Sequence, residues 1–229
     1  MRAGLSYWAL GTLHLALSPM QIRIAPDVAT ILTLGVLVME EVTVVERESR
    51  LDGPLADAEQ QARLAPPGDP TAVRAMYRRV GLDPTKTRPS SEALLRRVTR
   101  GDPLPRINSL VDICNWCSLA FQLPYGLYDA DRISGDVELR LGREGEEYAG
   151  IRKDVVHLAG RLTLVDAVGP FGNPTSDSAR TMVTTETRRA LLAVFGPKSL
   201  AGSLPHVLER TSERVTTFCG GREIRRIIA

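Results

Sequence analysis

The sequence predicts an α+β fold in which helices pack on a mixed sheet, and three patterns along the 229 residues indicate it. A continuous apolar run at 34–39 is typical of a buried strand. Helical periodicity dominates from 51 to 121, where proline and glycine separate the segments. Beyond 137, apolar and charged residues alternate, as expected of strands with one buried face. Because 43% of the residues are hydrophobic, the chain can bury one large core, and we expect a single domain over 20–229.

The first 19 residues resemble a secretory signal only in part. Glycine, threonine and histidine break their apolar run, and the Ser-Pro-Met sequence at 18–20 is not a small-x-small cleavage site. We therefore expect residues 1–19 to be a non-structural upstream extension. No apolar stretch is long enough to span a membrane, and three cysteines are too few and odd in number for a disulfide framework. These features predict a cytoplasmic protein without a membrane segment.

The predicted elements have recognisable boundaries. Residues 66–70, rich in proline, separate the helices predicted at 51–64 and 70–80. The hydroxyl groups of Ser90 and Ser91 are candidate caps for the next helix. Asn108 is the candidate cap for the helix after it. The other predicted elements are a helix at about 108–121, strands at 21–24, 137–141, 162–165 and 222–228, a helix at 203–216, and a strand or short helix at 181–195.

Basic residues are concentrated between 74 and 106. This stretch carries nine Lys/Arg against three Asp/Glu, whereas the formal net charge of the whole chain is only +2. Cations grouped on two helices and their connection can track a phosphate backbone by releasing counterions. A solvated face with local ion pairs is the alternative, and charge alone slightly favours it.

No complete catalytic or metal-binding motif stands in the sequence. Cys114 and Cys117 form a CxxC, but both lie in mid-helix, away from a helix N-terminus that would lower a thiol pKa. No second CxxC or neighbouring histidine completes a zinc site, so buried structural cysteines are the better interpretation. The absence of GxSxG, HExxH, P-loop and GxGxxG motifs argues against a protease, a kinase and a nucleotide-dependent dehydrogenase. We expect neither a metal nor another cofactor.

The segment 173–181 has the most unusual composition. It places several hydroxyl groups, one carboxylate and one guanidinium within nine positions. The carboxylate of Asp177 can take an ammonium group, and Arg180 can take a phosphate. A turn held by bonds from side chains to the backbone explains the same composition equally well.

Residues 107–129 resemble a known family. The sequences VDICNW at 111–116 and QLPYGLYD at 122–129 resemble the VVDITNY and GQPLHAFD motifs of an editing domain. That domain, called B-three/B-four, belongs to the bacterial phenylalanyl-tRNA synthetase beta subunit. Residues 145–146 and 183–195 resemble further parts of it, so the resemblance covers about 105–197. The stretch 81–97 looks like free-standing members of the same superfamily.

The resemblance implies an aminoacyl-ester pocket between the helix at 108–121 and the loop at 169–181. In the synthetase, this domain hydrolyses tyrosine that is wrongly attached to phenylalanine tRNA. An aminoacyl ester is already activated, so a positioned water and a polarised carbonyl suffice for its hydrolysis. The motif histidine aligns with Gly126, and the family's glycine-rich loop is replaced here by 173–177. Tyrosine specificity is therefore not carried over.

With the acceptor end of tRNA as the implied partner, the candidate residues form three groups. The catalytic candidates are Asn115, Thr175, Ser176, Asp177 and Ser178. The substrate-binding candidates are Pro124, Tyr125, Arg180 and Thr181. The tRNA-binding candidates are Lys86, Arg88, Arg96, Arg97 and Arg100. We expect Asn115 and Asp177 to hold the amino acid, and the hydroxyl groups to orient the water or the ribose.

Three functions stay open at this point. The polar segment at 173–181 favours an editing deacylase that acts on mischarged tRNA in trans. The absence of the motif histidine favours a module that binds tRNA or an amino acid without hydrolysis. A scaffold whose basic helices meet an acidic protein is the third. The sequence leaves open whether the protein is an enzyme.

Overall fold

The computed structural model describes residues 20–151 and 155–229, so the extension expected at 1–19 lies outside the described residues. The helices are α1 (Pro26–Ala29), α2 (Asp52–Leu64), α3 (Thr71–Arg79), α4 (Ser90–Thr99), α5 (Ser109–Phe121) and α6 (Leu204–Cys219). The strands are β1 (Ile22–Ile24), β2 (Leu32–Glu40), β3 (Tyr125–Asp129), β4 (Val137–Leu141), β5 (Glu147–Ala149), β6 (Val155–His157), β7 (Leu162–Val165), β8 (Pro170–Gly172), β9 (Arg189–Pro197) and β10 (Arg222–Ile228).

The strands form two four-stranded sheets and one two-stranded ribbon across the described residues. The first sheet has the order β10-β2-β9-β3 and is antiparallel. The second has the order β1-β4-β7-β8, in which β1 runs parallel to β4 and the other pairs are antiparallel. The ribbon pairs β5 with β6. The fold is therefore α+β with a mixed sheet, as the sequence predicts.

The centre of the protein is the β2–β9 pair. Both strands are buried along almost their whole length, whereas β10 at the sheet edge alternates between exposed and half-buried residues. Helix α6 packs against this pair where two glycines leave room. A Cβ on Gly35 would lie 3.2 Å from Leu208, and one on Gly196 would lie 3.1 Å from Leu204. The missing side chains thus let the helix approach the sheet closely.

Most predicted elements are confirmed in type. The helices predicted at 51–64, 70–80 and 108–121 correspond to α2, α3 and α5, and the run at 34–39 lies inside the longer strand β2. The ambiguous segment at 181–195 resolves into the end of a 3-10 turn followed by β9. No helix among the described residues is long and apolar enough to cross a membrane.

The two predicted helix caps have different outcomes. Asn108 does cap α5, because its side chain accepts a hydrogen bond of 2.9 Å from the Val111 amide. The cap predicted for α4 is wrong. Pro89 occupies the N-cap position and no side chain caps the helix, because Ser90 already lies inside its first turn. The proline fixes the backbone torsion at the boundary, so the helix starts without a hydroxyl cap.

Candidate functional site

A cavity of about 330 Å³ lies between α5 and the segment that follows β8. Its polar lining residues are Ser90, Asn115, Asn173, Thr175, Ser176 and Asp177. Its other lining residues are Ile107, Val111, Cys114, Tyr125, Leu127, Ile151, Pro174, Met182 and Val183. A volume of this size and a largely apolar wall with a few polar groups are typical of a small-molecule site. The cavity lies where the resemblance implies an aminoacyl pocket.

Asn115 and Asp112, three residues apart on α5, have different surroundings. The Asp112 carboxylate accepts hydrogen bonds from the Arg106 guanidinium at 2.6 Å and the Ile107 amide at 2.8 Å, and it does not line the cavity. The Asn115 side chain lines the cavity, and its amide group makes no hydrogen bond with another described residue. Asn115 therefore has both a donor and an acceptor to offer a ligand.

Asn173 organises the segment that closes the cavity. Its Oδ1 accepts hydrogen bonds of 2.8 Å from the backbone amides of both Thr175 and Ser176. Its Nδ2 donates to the Tyr148 hydroxyl at 2.8 Å, and that hydroxyl donates to the Ser176 carbonyl oxygen. The segment is thus a turn held by side-chain bonds to the backbone, which is one of the two interpretations that its composition allows, and it also lines the cavity.

The Asp177 carboxyl group is a strongly perturbed ionisable group in the cavity. Its Oδ1 is shielded from solvent and has no hydrogen-bond partner among the described residues. Burial raises the pKa of Asp177 from 3.8 to about 7, although the Tyr128 hydroxyl and the backbone amides of Leu127 and Asn173 lower it. Because desolvation dominates, this group is only partly ionised at neutral pH, and a bound cation would favour the ionised form.

The Tyr128 phenol fills the space between β3 and β8, next to Asp177. A Cβ added to Gly126 would lie 2.1 Å from the Tyr128 hydroxyl oxygen, and one added to Gly172 would lie 2.3 Å from it. The ring packs edge-on against Phe171 with 5.0 Å between centroids. Burial keeps the pKa of Tyr128 well above its usual range, so the phenol stays neutral. Only glycine at both positions leaves room for this side chain.

Four predicted site residues lie outside the cavity lining, for identifiable reasons. Arg180 pairs with Asp166, with Nη2 to Oδ1 at 2.9 Å, so its guanidinium has a carboxylate partner already. The Ser178 hydroxyl accepts a bond from the Arg180 amide, and the Thr181 hydroxyl donates to the Phe171 carbonyl. The carbonyl oxygen of the remaining residue, Pro124, accepts a hydrogen bond from the Phe195 amide of β9. The structure brings together Asn115, Tyr125, Thr175, Ser176 and Asp177.

Sequence reasoning missed the apolar part of the lining. Met182 and Val183 follow the polar segment, and Ile151 comes from the connection after β5. Ile107 and Met182 are large hydrophobic side chains that remain exposed, at 43% and 36%. In the sequence they look like ordinary core residues, and only the fold shows that they lie beside a cavity.

The basic candidates lie on and before α4, whose first residue, Ser90, lines the cavity. The exposed members are Lys86, Arg96, Arg97 and Arg100. Arg88 is half-buried and pairs with Glu92 at 3.4 Å. Arg100 lies ten residues beyond Ser90, roughly 15 Å along the helix direction. The basic side chains of α4 therefore lead away from the cavity along that helix.

The cysteines are buried, as the sequence favours. Cys114, Cys117 and Cys219 are free and buried, and burial raises the pKa of the Cys114 thiol well above its usual range. Over residues 20–151 and 155–229, no group of three His, Cys, Asp or Glu side chains is placed to hold a metal ion.

Comparisons with known proteins point to one family. The family model described as the B3/4 domain matches residues 72–215, more than half of the chain. The phenylalanine–tRNA ligase beta subunit of Bartonella henselae is 33% identical over 104 residues, which cover 42% of this chain and 12% of that protein. The Yersinia pestis beta subunit is 28% identical over 202 residues, which cover 83% of this chain and 24% of that protein. The chain thus spans at most about a quarter of the length of either relative.

Among solved structures, the chain is similar to an N-terminal fragment of the phenylalanyl-tRNA synthetase beta subunit from Pyrococcus horikoshii. The TM-score is 0.49 and the sequence identity 13%, over 93% of this chain and 55% of that one.

Proposed function

The chain belongs to the B3/4 domain family, and from that membership we propose that it binds the aminoacyl end of tRNA in the cavity beside Asp177 and hydrolyses the ester. The similarity to phenylalanine–tRNA ligase beta subunits supports a tRNA-related role. The proposed substrate is a tRNA that carries the wrong amino acid, and the reaction takes place in trans to the synthetase that charged it.

This proposal rests on two groups that line the same largely apolar cavity. One is a shielded carboxyl group, and the other is an amide without a hydrogen bond to the described residues. Asp177 has a shielded oxygen without a described partner, and Asn115 has an amide without one. The α-ammonium group of an aminoacyl ester would stabilise the ionised form of Asp177, because an opposite charge offsets the desolvation of the carboxylate. The apolar wall would accept the amino-acid side chain.

The chemistry requires little beyond this arrangement. A water oxygen attacks the ester carbonyl carbon, the bond between that carbon and the ribose oxygen breaks, and the ribose oxygen takes a proton from the water. Asn115 would donate to the developing negative charge on the carbonyl oxygen. The Thr175 hydroxyl, in the same lining, would orient the water or the neighbouring ribose hydroxyl. No covalent intermediate on the protein is needed, because the ester is already activated.

A second candidate function has its own supporting observation. The family motif places a histidine at the position of Gly126, and here the buried Tyr128 phenol takes that space. A neutral phenol beside Asp177 is a poor general base. This favours a module that holds the aminoacyl end without hydrolysing it.

A deacylation assay distinguishes the two functions. Purified protein is incubated with a panel of labelled tRNAs, correctly and incorrectly charged, and loss of label is compared with the spontaneous rate. We expect one mischarged species to lose label faster, and Asp177→Asn to remove most of that gain. Asp131→Asn, which changes an exposed carboxylate paired with Arg189, is the matched control.

Each outcome of the assay supports or rejects a specific function. Faster loss of label that Asp177→Asn does not affect would reject this site. Retention of tRNA on the protein without turnover would support the binding module instead. If the protein showed no turnover and no retention of tRNA, both functions would be rejected.

A further inference from the structure

A row of cationic and aromatic side chains runs from the turn before α2 along α5 and α6, apart from the cavity at Asp177. The Arg50 guanidinium lies 5.8 Å from the Phe218 ring centroid, and that ring lies 6.1 Å edge-on from Trp116. The Arg214 guanidinium lies 3.8 Å over the Trp116 ring and 5.4 Å from the Phe121 ring. We call these five residues the cation–ring row.

Arg214 is the member whose charge is least compensated. Its Nε is shielded from solvent and has no hydrogen-bond partner among the described residues, and no described carboxylate pairs with its guanidinium. Its Nη1 donates to the Cys117 sulfur at 3.4 Å, which is a weak acceptor. Arg74 and Arg88 in the basic stretch, by contrast, both pair with Glu92. Since neither a carboxylate nor a hydrogen-bond acceptor among the described residues engages Nη2, Arg214 retains this donor group and its charge for an anion.

A second cavity, of about 410 Å³, adjoins this arginine between α2, α5 and α6. Arg214 and Trp116 form one side of it, and the alanine and proline side chains of the α2 region form another. Asp57 and Gln61 on α2 supply its other polar groups. The volume lies within the range of small-ligand sites.

We propose that this second cavity binds an unpaired nucleotide of single-stranded RNA. The base would stack on the planar guanidinium of Arg214, which Trp116 supports from behind, as bases stack on arginine and aromatic planes elsewhere. The phosphate would accept hydrogen bonds from the same arginine. The negative charge of Asp57 disfavours a bare anion in the cavity. Its carboxylate would accept hydrogen bonds from ribose hydroxyls, so a nucleotide would be preferred over a bare anion.

The two cavities lie on different sides of α5. Trp116 follows Asn115 directly in the sequence, and successive residues on a helix point about 100° apart. The nucleotide site therefore stands independently of the proposed ester hydrolysis, and either one can fail without the other.

Tryptophan fluorescence gives a direct test on the full chain. The protein has two tryptophans, so Trp8→Phe leaves Trp116 as the only one. In that background, adenosine monophosphate is expected to quench the emission saturably. Arg214→Gln is expected to weaken binding at least roughly tenfold. Arg214→Lys, which keeps the charge but not the plane, is expected to weaken it less. The matched control is Arg210→Gln, which removes an arginine paired with Glu213 on the same helix.

Further ligands identify what is recognised. Inorganic phosphate alone is expected to quench little, and deoxyadenosine monophosphate is expected to bind more weakly than the ribonucleotide because it lacks the 2′-hydroxyl. A single-stranded oligoadenylate that binds more tightly than the mononucleotide would assign the site to RNA, whereas equal affinity would assign it to free nucleotides and overturn the RNA proposal. No quenching, or equal quenching in Arg214→Gln, would overturn the site itself, and the unfolding transition of each variant shows that it is folded.

Discussion

The Tyr128 hydroxyl oxygen occupies the space that a side chain on Gly126 would need, because a Cβ at Gly126 would lie 2.1 Å from it. The two residues are two apart on β3, so their side chains point to the same face of the sheet. The resemblance aligns the motif histidine with Gly126, and a side chain at that position would need the space that the phenol of Tyr128 fills. A side chain at position 126 therefore requires the phenol to move or to be replaced.

This relationship predicts strong coupling between the two positions. Gly126→Ala forces the phenol out of its place and should lower the free energy of unfolding by about 1–3 kcal/mol. Tyr128→Ala alone leaves a cavity and should cost about 3–5 kcal/mol. The double variant should cost less than the sum, because the new methyl group enters the emptied space. Urea denaturation of the four proteins measures this, and additive costs would contradict the steric account.

The raised pKa of Asp177 predicts a pH-dependent contribution to stability. Its ordinary value is 3.8 and its value in the folded protein is about 7, so between these pH values the folded state holds a proton that the unfolded chain has released. The free energy of unfolding contributed by this group therefore falls as the pH rises through that window. Asp177→Asn removes the titration, and should be roughly 4 kcal/mol more stable than the wild type at pH 8 but about equal to it at pH 4.

The measurement is the difference between the two unfolding free energies across pH 4–8, so that other titrating groups cancel. A difference that does not change with pH would show that Asp177 is ionised normally in the folded protein. Asp131→Asn is the control, and its difference from the wild type should stay small throughout, since Asp131 is half exposed.

Asn173 should be the residue on which the closing segment depends. Asn173→Ala removes two bonds to backbone amides and one to the Tyr148 hydroxyl, which together should cost about 2–3 kcal/mol. Because Thr175 and Ser176 then lose their positions, affinity for an aminoacyl-tRNA should fall more than stability alone explains. Asn173→Asp, which keeps the acceptor, should retain most of the segment's order. An alanine variant with unchanged tRNA affinity would exclude this segment from the binding site.

The sequence predicted the types of most elements because burial leaves periodic patterns, as in β2, where the apolar run has no interruption. It placed the cavity between α5 and the segment after β8 through the family resemblance. It could not show which polar residues bond within the protein. Arg180 appears free in the sequence, but Asp166, fourteen positions earlier, is its partner across β8. Such pairings depend on tertiary contacts, which leave no local pattern.

The basic side chains of α4 predict a specific salt dependence of tRNA binding. Replacement of Arg96, Arg97 and Arg100 by glutamine removes three exposed cations. If each contacts a phosphate, the slope of log affinity against log salt should fall by about 2–3 units. A matched triple change of exposed arginines elsewhere is Arg143, Arg188 and Arg189. An equal loss of slope in both triple variants would indicate that binding depends on net charge and not on this helix.

The ion pair between Arg106 and Asp112 predicts a purely structural effect next to the site. The Asp112 side chain is fully buried, and its Oδ2 lies 2.6 Å from Arg106 Nε. Arg106→Gln leaves a buried carboxylate without its cation, which should lower the free energy of unfolding by about 3–5 kcal/mol. Adding Asp112→Asn should recover part of that loss, because no buried charge then remains. The folded double variant should bind tRNA like the wild type. Asn115→Ala, in contrast, should have normal stability and weakened tRNA binding. Denaturation curves paired with tRNA affinities test this, and weak binding by a fully folded double variant would place Asp112 in the site beside Asn115.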